Sequence, residues 1–190
     1  NTPGIMRVIA GSAKGRRLKC PRDRSGRTRP SSDLVRGAVF SALASMGADL
    51  SRVLDLYAGS GALGIEALSR GAGFCDFVER DPGACAVIKE NLSLTGFAGR
   101  GKVHCLPAAR AMERLQGPYS LVLADPPYDD RDAAAVLQAL AASALIREGT
   151  VLVLEHSARE EPRGEIGRFS LTSVRRHGDS AVSIYQSGGE

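Results

Sequence analysis

Between Val53 and Gly64 the chain reads Val-Leu-Asp-Leu-Tyr-Ala-Gly-Ser-Gly-Ala-Leu-Gly, and no other stretch of the 190 residues restricts the fold so tightly. An apolar run of strand length is followed by glycines at Gly59, Gly61 and Gly64, and helical spacing starts at Ala62. A strand that turns through glycines into a helix is the first crossover of a parallel α/β sheet. The rest of the chain repeats the alternation. Further strands are expected at 74–79, 102–106, 119–124 and 150–155. Helices are expected at 62–70, from Asp81-Pro82 to just before Gly96, at 108–116 and at 132–144. An earlier helix should start at Ser31 or Ser32, either a good N-cap, and stop at Gly47. Strands at 168–176 and 181–186 flank His177-Gly178-Asp179, the mark of an antiparallel hairpin. Continuous apolar strands between helices mean a doubly wound, mainly parallel sheet covered on both faces.

The glycine pattern alone admits two cofactors. With Glu79 lying 20 residues after Gly59, it also matches the dinucleotide fingerprint, so a nicotinamide dehydrogenase is a real alternative. Asp55 separates the two. It stands four residues before Gly59, where a pyrophosphate would lie against the helix N-terminus, and its carboxylate would repel both phosphates. S-adenosylmethionine carries an ammonium, a sulfonium and no phosphate, and a carboxylate there suits it. Glu79, ending the next strand, can accept from ribose hydroxyls.

Leu121-Val-Leu-Ala-Asp-Pro-Pro-Tyr128 ends the fourth strand at the same sheet edge. Two prolines in a row are stiff and leave their carbonyls available. An exocyclic amine of a nucleobase is a weak nucleophile because its lone pair is delocalised into the ring. If Asp125 and the Pro126 carbonyl accept its two N–H groups, the lone pair turns out of the ring plane toward a methyl donor. Pro127 holds the turn, and Tyr128 offers a face for an extruded base.

Charge is unevenly spread. Residues 1–36 hold ten Lys/Arg and two acids, a net +8 that leaves −4 on the remainder of a chain whose total is +4. A basic arm on a mildly acidic body points to a polyanion. A strand at 6–10, a turn at 11–15 and a return at 16–20 give this arm a hairpin. It lacks aromatic residues, so phosphate gripping rather than base stacking is its expected use. Cys20, Cys75, Cys85 and Cys105 contain no C-x-x-C pair, and His104, His156 and His177 form no ligand cluster, so no metal site is expected. Apolar residues at 43% and charged residues at 24% suit a soluble domain without a membrane span, expected in the cytoplasm. His156, next to the end of the fifth strand, suits a wall of the site better than a catalytic base.

Together these segments resemble class I S-adenosylmethionine-dependent methyltransferases. More narrowly, 9–18, 29–40, 55–72 and Asp125-Pro-Pro-Tyr128 resemble the RsmD family of bacterial small-subunit ribosomal RNA guanine-N2 methyltransferases. The resemblance runs from Met6 to about Glu155. It implies a Rossmann-like α/β fold: a mainly parallel seven-stranded sheet, a C-terminal antiparallel hairpin and a small basic N-terminal β-hairpin extension. The expected division is 1–5 as an expression remnant or disordered lead, 6–30 as hairpin and loop, and 31–190 as methyltransferase domain. Expected cofactor contacts are Asp55, Tyr57, Gly59, Ser60, Gly61, Glu79, Arg80 and Ala108. The target amine would lie at Asp125, Pro126, Pro127 and Tyr128, and RNA along Lys14, Arg16, Arg17, Arg29 and Arg36. Ser31 and Tyr57 depart from the family's usual Thr and Phe. Pro107-Ala108-Ala109 lacks the Asp or Asn that relatives place near the cofactor's adenine. The substrate implied is small-subunit rRNA within a ribosomal particle, the enzyme a monomer. A DNA adenine-N6 or cytosine-N4 methyltransferase is the alternative, although the chain has no room for a sizeable target-recognition domain.

Overall fold

The computed structural model describes residues 6–21 and 33–189. Residues 1–5, the proline-flanked basic loop with Arg29, and the expected cap at Ser31 or Ser32 lie outside the described residues. In chain order the elements are β1 (Met6–Arg7), β2 (Arg17–Leu18), α1 (Asp33–Ser45), β3 (Arg52–Leu56), α2 (Ala62–Ser69), β4 (Phe74–Glu79), α3 (Pro82–Thr95), β5 (Gly101–Cys105), α4 (Ala108–Ala111), β6 (Tyr119–Ala124), α5 (Ala133–Ala142), β7 (Ile146–Ser157), β8 (Glu165–Ile166), β9 (Phe169–His177) and β10 (Ser180–Ser187). The sheet order is β5-β4-β3-β6-β7-β10-β9-β8, parallel from β5 to β7 and antiparallel from β7 to β8. The expected Rossmann-like architecture is present with one more strand than the seven expected, the two-residue β8.

Period-two alternation sends each strand's side chains to two separate cores. Val53, Cys75, Phe77, Leu121, Leu123, Val151 and Val153 meet α1, α2 and α3 on one face. Leu54, Leu56, Val78, Val122, Ala124 and Leu152 meet α4 and α5 on the other. The same parity puts Asp55, Glu79, Asp125 and Glu155 on the first face, one at or near the carboxyl end of each of four parallel strands. α3 starts as expected, with the Asp81 carboxylate accepting from Ala84 N at 2.8 Å and Pro82 in its first turn, and it ends on Gly96 at φ 81°.

The arm is docked rather than free. Its strands are only two residues each because the next N–H groups bond elsewhere. Ile9 N and Ala10 N donate to the Glu66 carboxylate of α2 at 2.8 and 3.2 Å. Gly11 passes so close to Ser69 that a Cβ there would sit 1.8 Å from the Ser69 carbonyl oxygen. Asn91 of α3 accepts from Lys19 N, donates to Lys19 O and also donates to Ser60 O in the glycine loop. Met6, Val8, Ala13 and Leu18 are buried in the first core.

Candidate active site

The glycine loop takes its shape from three conformational demands. Gly59 and Gly61 have φ of 59° and 79°, and Tyr57 adopts φ 63° without being glycine. A non-glycine residue there is strained, and such strain gathers where a ligand must be approached. Gly64 answers a packing demand: a Cβ would sit 2.4 Å from the Phe77 ring and 2.8 Å from Cys75 Sγ. Without one, α2 lies directly on β4. A Cβ at Gly59 would meet nothing within 4 Å, so open space lies above the loop.

Two acids frame that space. Asp55 is 2% exposed, and its Oδ2 accepts from Gly64 N at 2.9 Å, which caps a helix whose own N-cap, Gly61, has no side chain. Burial pushes its pKa up to about 8; the Gly64 N–H opposes the rise and the Glu79 charge adds to it. Glu79 spreads its two oxygens between loops: Oε1 accepts from Gly59 N at 3.2 Å and Oε2 from Asp81 N at 3.0 Å. Tyr57 carries a buried hydroxyl with no hydrogen-bond partner among the described residues, and its pKa rises to about 12, first through burial and then through Asp130 and Asp132. Arg80 is exposed but close enough to act on that hydroxyl. Leu106 and Ala108 pack half-exposed on the second core, as Tyr57 does. Ser60 Oγ accepts from Ala62 N, and its carbonyl is held by Asn91.

Beside this frame lies the second half of the site. Asp125 follows β6 and is half-buried; Pro126 is half-buried, Pro127 and Tyr128 exposed, the last at 57%. Asp130 N donates to Pro127 O at 3.0 Å, closing the turn, while among the described residues nothing donates to Pro126 O. Tyr128 Oη lies 3.5 Å from Ser180 Oγ. The Asp125 carboxyl is hydrogen-bonded to Glu155, and burial, Glu155 and Asp55 together hold its pKa well above the carboxylate range.

Glu155 is the residue the sequence reading missed. Parallel β6 and β7 pair Ala124 with Leu154, which sets Asp125 beside Glu155. The signal was present: Leu121-Val-Leu-Ala-Asp and Val151-Leu-Val-Leu-Glu are two apolar strands that each end on an acid. His156 points to the opposite face, where its Nε2 meets Ser183 Oγ at 2.6 Å and its Nδ1 meets Ser157 O at 2.9 Å. The first contact ties it to β10 and the second stays within β7, on the face away from the crevice acids.

Lys14, Arg16 and Arg17 are exposed on the hairpin, as is Lys19, which pairs with Glu90. Arg36 corrects the sequence reading: it is fully buried at 0% exposure and cannot meet RNA. Its Nη2 donates to Arg7 O at 2.6 Å and to Asp33 Oδ1 at 2.9 Å, and its Nε lies 3.6 Å from Glu66 Oε1. It joins the arm, α1 and α2 from inside.

The residues present suit S-adenosylmethionine: open space above a strained loop, an unpartnered Tyr57 hydroxyl, and carboxylates without enough donors of their own. The comparisons agree. The family model described as Conserved hypothetical protein 95 matches residues 6–186. YlbH of Bacillus subtilis is 36% identical over 187 residues, covering 97% of this chain and 100% of that protein. Ribosomal RNA small subunit methyltransferase D of Escherichia coli K12 is 38% identical over 125 residues, 66% of this chain and 61% of that one. Among solved structures, yhhF from Escherichia coli superposes with a TM-score of 0.85 at 29% identity, covering 98% of this chain and 100% of that one. An RNA methyltransferase from Salinibacter ruber, solved with S-adenosyl-L-homocysteine, shares the fold at a TM-score of 0.64 and 17% identity, covering 85% and 95%. The glycine loop with its two acids, the Asp-Pro-Pro-Tyr turn one strand away, and a family match over nearly the whole chain lead to one conclusion: the chain belongs to the RsmD family of S-adenosylmethionine-dependent methyltransferases.

Proposed function

We propose that this chain methylates the exocyclic N2 amine of a guanine in small-subunit ribosomal RNA, acting on a ribosomal particle. The observation that carries the reading is the pair of acceptors at the end of β6. Asp125 and an unused Pro126 carbonyl stand one strand from the acids of the glycine loop. Family membership, with relatives named as small-subunit rRNA methyltransferases, supports the RNA class.

When bound, S-adenosylmethionine supplies an electrophilic methyl group on a sulfonium. Asp55 and Glu79 hold its cationic and ribose ends, and the half-exposed Leu106, Ala108 and Tyr57 offer an apolar bed for its adenine. Arg80 lies at the rim. Asp125 and Pro126 O accept the two amine N–H groups, turning the nitrogen lone pair out of conjugation, while Pro127 stiffens the turn and Tyr128 stacks on the base. Glu155 and Asp55 crowd the Asp125 carboxyl with like charge, as Glu79 crowds Asp55, so the site favours the presence of a cation, which draws the pKa values of Asp55 and Asp125 down. Glu155 hydrogen-bonds Asp125 and keeps one of its oxygens turned to the amine. Transfer would form the N–C bond as the donor's S–C bond breaks and S-adenosylhomocysteine leaves, and the proton lost by the nitrogen would go to the Asp125–Glu155 pair and then to water.

The test is transfer of labelled methyl into small ribosomal subunits lacking the modification, with naked rRNA and duplex DNA in parallel. Label recovered as N2-methylguanosine supports the proposal. Label only in DNA replaces it with a DNA amine methyltransferase. No label in any substrate, with cofactor still bound, discards the substrate.

A further inference from the structure

One basic feature belongs neither to the arm nor to the crevice. On the face opposite the arm, Lys102, His104 and Cys105 of β5 and Leu106, Arg110 and Arg114 line a cavity of about 420 Å³. Lys102 and His104 project to the same side of β5 by strand parity, and Arg110 and Arg114 are spaced by one helical turn across α4 and the turn that follows it. Among the described residues none of the three long cations has an ion-pair partner. Of the carboxylates near the wall, Asp76 is already committed, accepting from Tyr119 Oη at 2.7 Å and contacting His104 Nε2 at 2.8 Å and Arg52 Nη2 at 3.7 Å, and Glu79 accepts from Gly59 N and Asp81 N.

Like charges gathered around a concave space without a counter-charge repel one another and raise the local affinity for an anion. Leu106 is shared with the adenine bed, but the methyl donor offers no phosphate for the three cations to meet. Its place in the sheet points to the occupant. β5 is the edge strand, and its last residue, Cys105, pairs with Glu79, so the cavity lies next to the carboxyl edge that carries the crevice. The exposed Lys14 and Arg16 lie on the other face toward the opposite edge, since Ala13 N is bonded to Ser69 at the end of α2 and Arg16 to the Leu94 carbonyl near the end of α3.

We propose that the Lys102–Arg110–Arg114 cavity is a second RNA-backbone site, which grips phosphodiesters on the far side of the crevice from the arm. An RNA strand that presents a base to Asp125 is then gripped where it leaves the carboxyl edge over β5, while the arm meets more distant phosphates across the other face. Phosphate contacts of this kind fix register without reading sequence. The inference rests on the rRNA reading above.

The experiment compares the full chain with a Lys102→Ala/Arg110→Ala/Arg114→Ala variant in binding small-subunit rRNA from 50 to 200 mM salt. The three side chains are exposed, and cofactor affinity within about twofold of wild type confirms that the variant is folded. Each lost phosphate contact lowers the slope of log K against log salt by about 0.7–0.9. The expected result is a slope shallower by about 2 and an affinity down roughly tenfold or more at 100 mM salt. Arg110→Lys/Arg114→Lys, which keeps the charge, should retain the slope. Wild-type binding with an unchanged slope in the triple variant overturns the cavity and leaves the rRNA reading intact. Failure of the wild type to bind or methylate rRNA overturns both. Stabilisation of wild type by inorganic phosphate with no change in RNA slope assigns the cavity to a small anion and also overturns the proposal.

Discussion

Asp55 and Asp76 are buried carboxylates on adjacent strands of one sheet, at 2% and 4% exposure. Asp76 faces the second core and is surrounded by donors: Tyr119 Oη, His104 Nε2 and, slightly further, Arg52, which also stacks on Phe74 and Tyr119. Asp55 faces the first core and receives one backbone N–H, from Gly64, while Glu79 and Asp125 crowd it with like charge. A buried carboxylate costs several kcal/mol unless it is paired and hydrogen-bonded. The chain meets that cost internally at Asp76. At Asp55, and again at Asp125, it leaves much of the cost to be offset by something the polypeptide does not contain. The comparison teaches how to tell a structural acid from a working one by its partners rather than by its burial.

The sharpest test concerns the acid at the transfer step. Asp125→Asn keeps the shape of the turn but replaces one acceptor oxygen with a donor, which opposes an incoming amine N–H. Turnover should fall about 10²- to 10⁴-fold with cofactor affinity nearly unchanged. Single-turnover methylation beside calorimetric cofactor binding separates the two. Turnover within a few-fold of wild type would move the amine site away from β6.

Asp76→Ala should do the reverse. It strands His104, Tyr119 and Arg52, and removing one partner of a buried ionic network typically costs about 3–5 kcal/mol. Urea midpoints should drop accordingly, while the folded fraction binds cofactor as before. If Asp76→Ala abolished cofactor binding without loss of stability, the contrast between the two acids would collapse.

Asp55→Asn probes the same contrast through pH. The folded-state pKa of Asp55 is about 8 against an ordinary 3.8. Between those values the folded apo chain holds a proton that the unfolded chain has released. The unfolded state therefore binds fewer protons, and stability falls as pH rises from about 4 to about 8. Asn should flatten that slope and raise the melting temperature at pH 8; in a chain of this size each 1 kcal/mol is worth roughly 2–4 °C. It should also weaken cofactor binding about 10- to 100-fold, since a charge-assisted contact is worth roughly 1.5–3 kcal/mol. Melting curves at pH 5 and pH 8, with and without cofactor, check both parts. A steeper slope in the variant would contradict the assignment.

What sequence revealed and what it concealed follow the same division between local and distant contacts. The glycine loop and the Asp-Pro-Pro-Tyr turn are local, and each residue's neighbours along the chain state its task. The strand–helix alternation is likewise carried by apolar spacing. Glu155 could be recognised only through the register of β6 against β7, and β8 only through its pairing with β9. The arm's strands ended early because Glu66 and Asn91, more than 55 and 70 residues away, took their N–H groups. Arg36 was grouped with the arm by composition, yet Arg36, Phe40 and Leu43 recur at helical spacing, which sets the arginine on the buried stripe of α1. Its counter-charge, Glu66, comes from another helix, and a count of basic residues carries no direction.

That misreading supplies the smallest and most discriminating test. Arg16 and Arg17 are exposed on the hairpin; among the described residues the Arg16 guanidinium bonds the Leu94 carbonyl, at 3.3 Å. Arg16→Ala/Arg17→Ala should leave the fold intact, lower the salt slope of RNA binding by about 1.4–1.8, and weaken binding several-fold at 100 mM salt. Arg36→Met, which removes a buried charge from the Glu66 carboxylate while Arg70 Nε still reaches it at 3.1 Å, should lower the urea midpoint and leave the slope as it was. Both proteins carry fewer cations than wild type, so net charge alone predicts a shallower slope in each. Only a surface defined by exposure separates them, and equal slopes in the two variants would return RNA binding by the arm to a matter of overall charge.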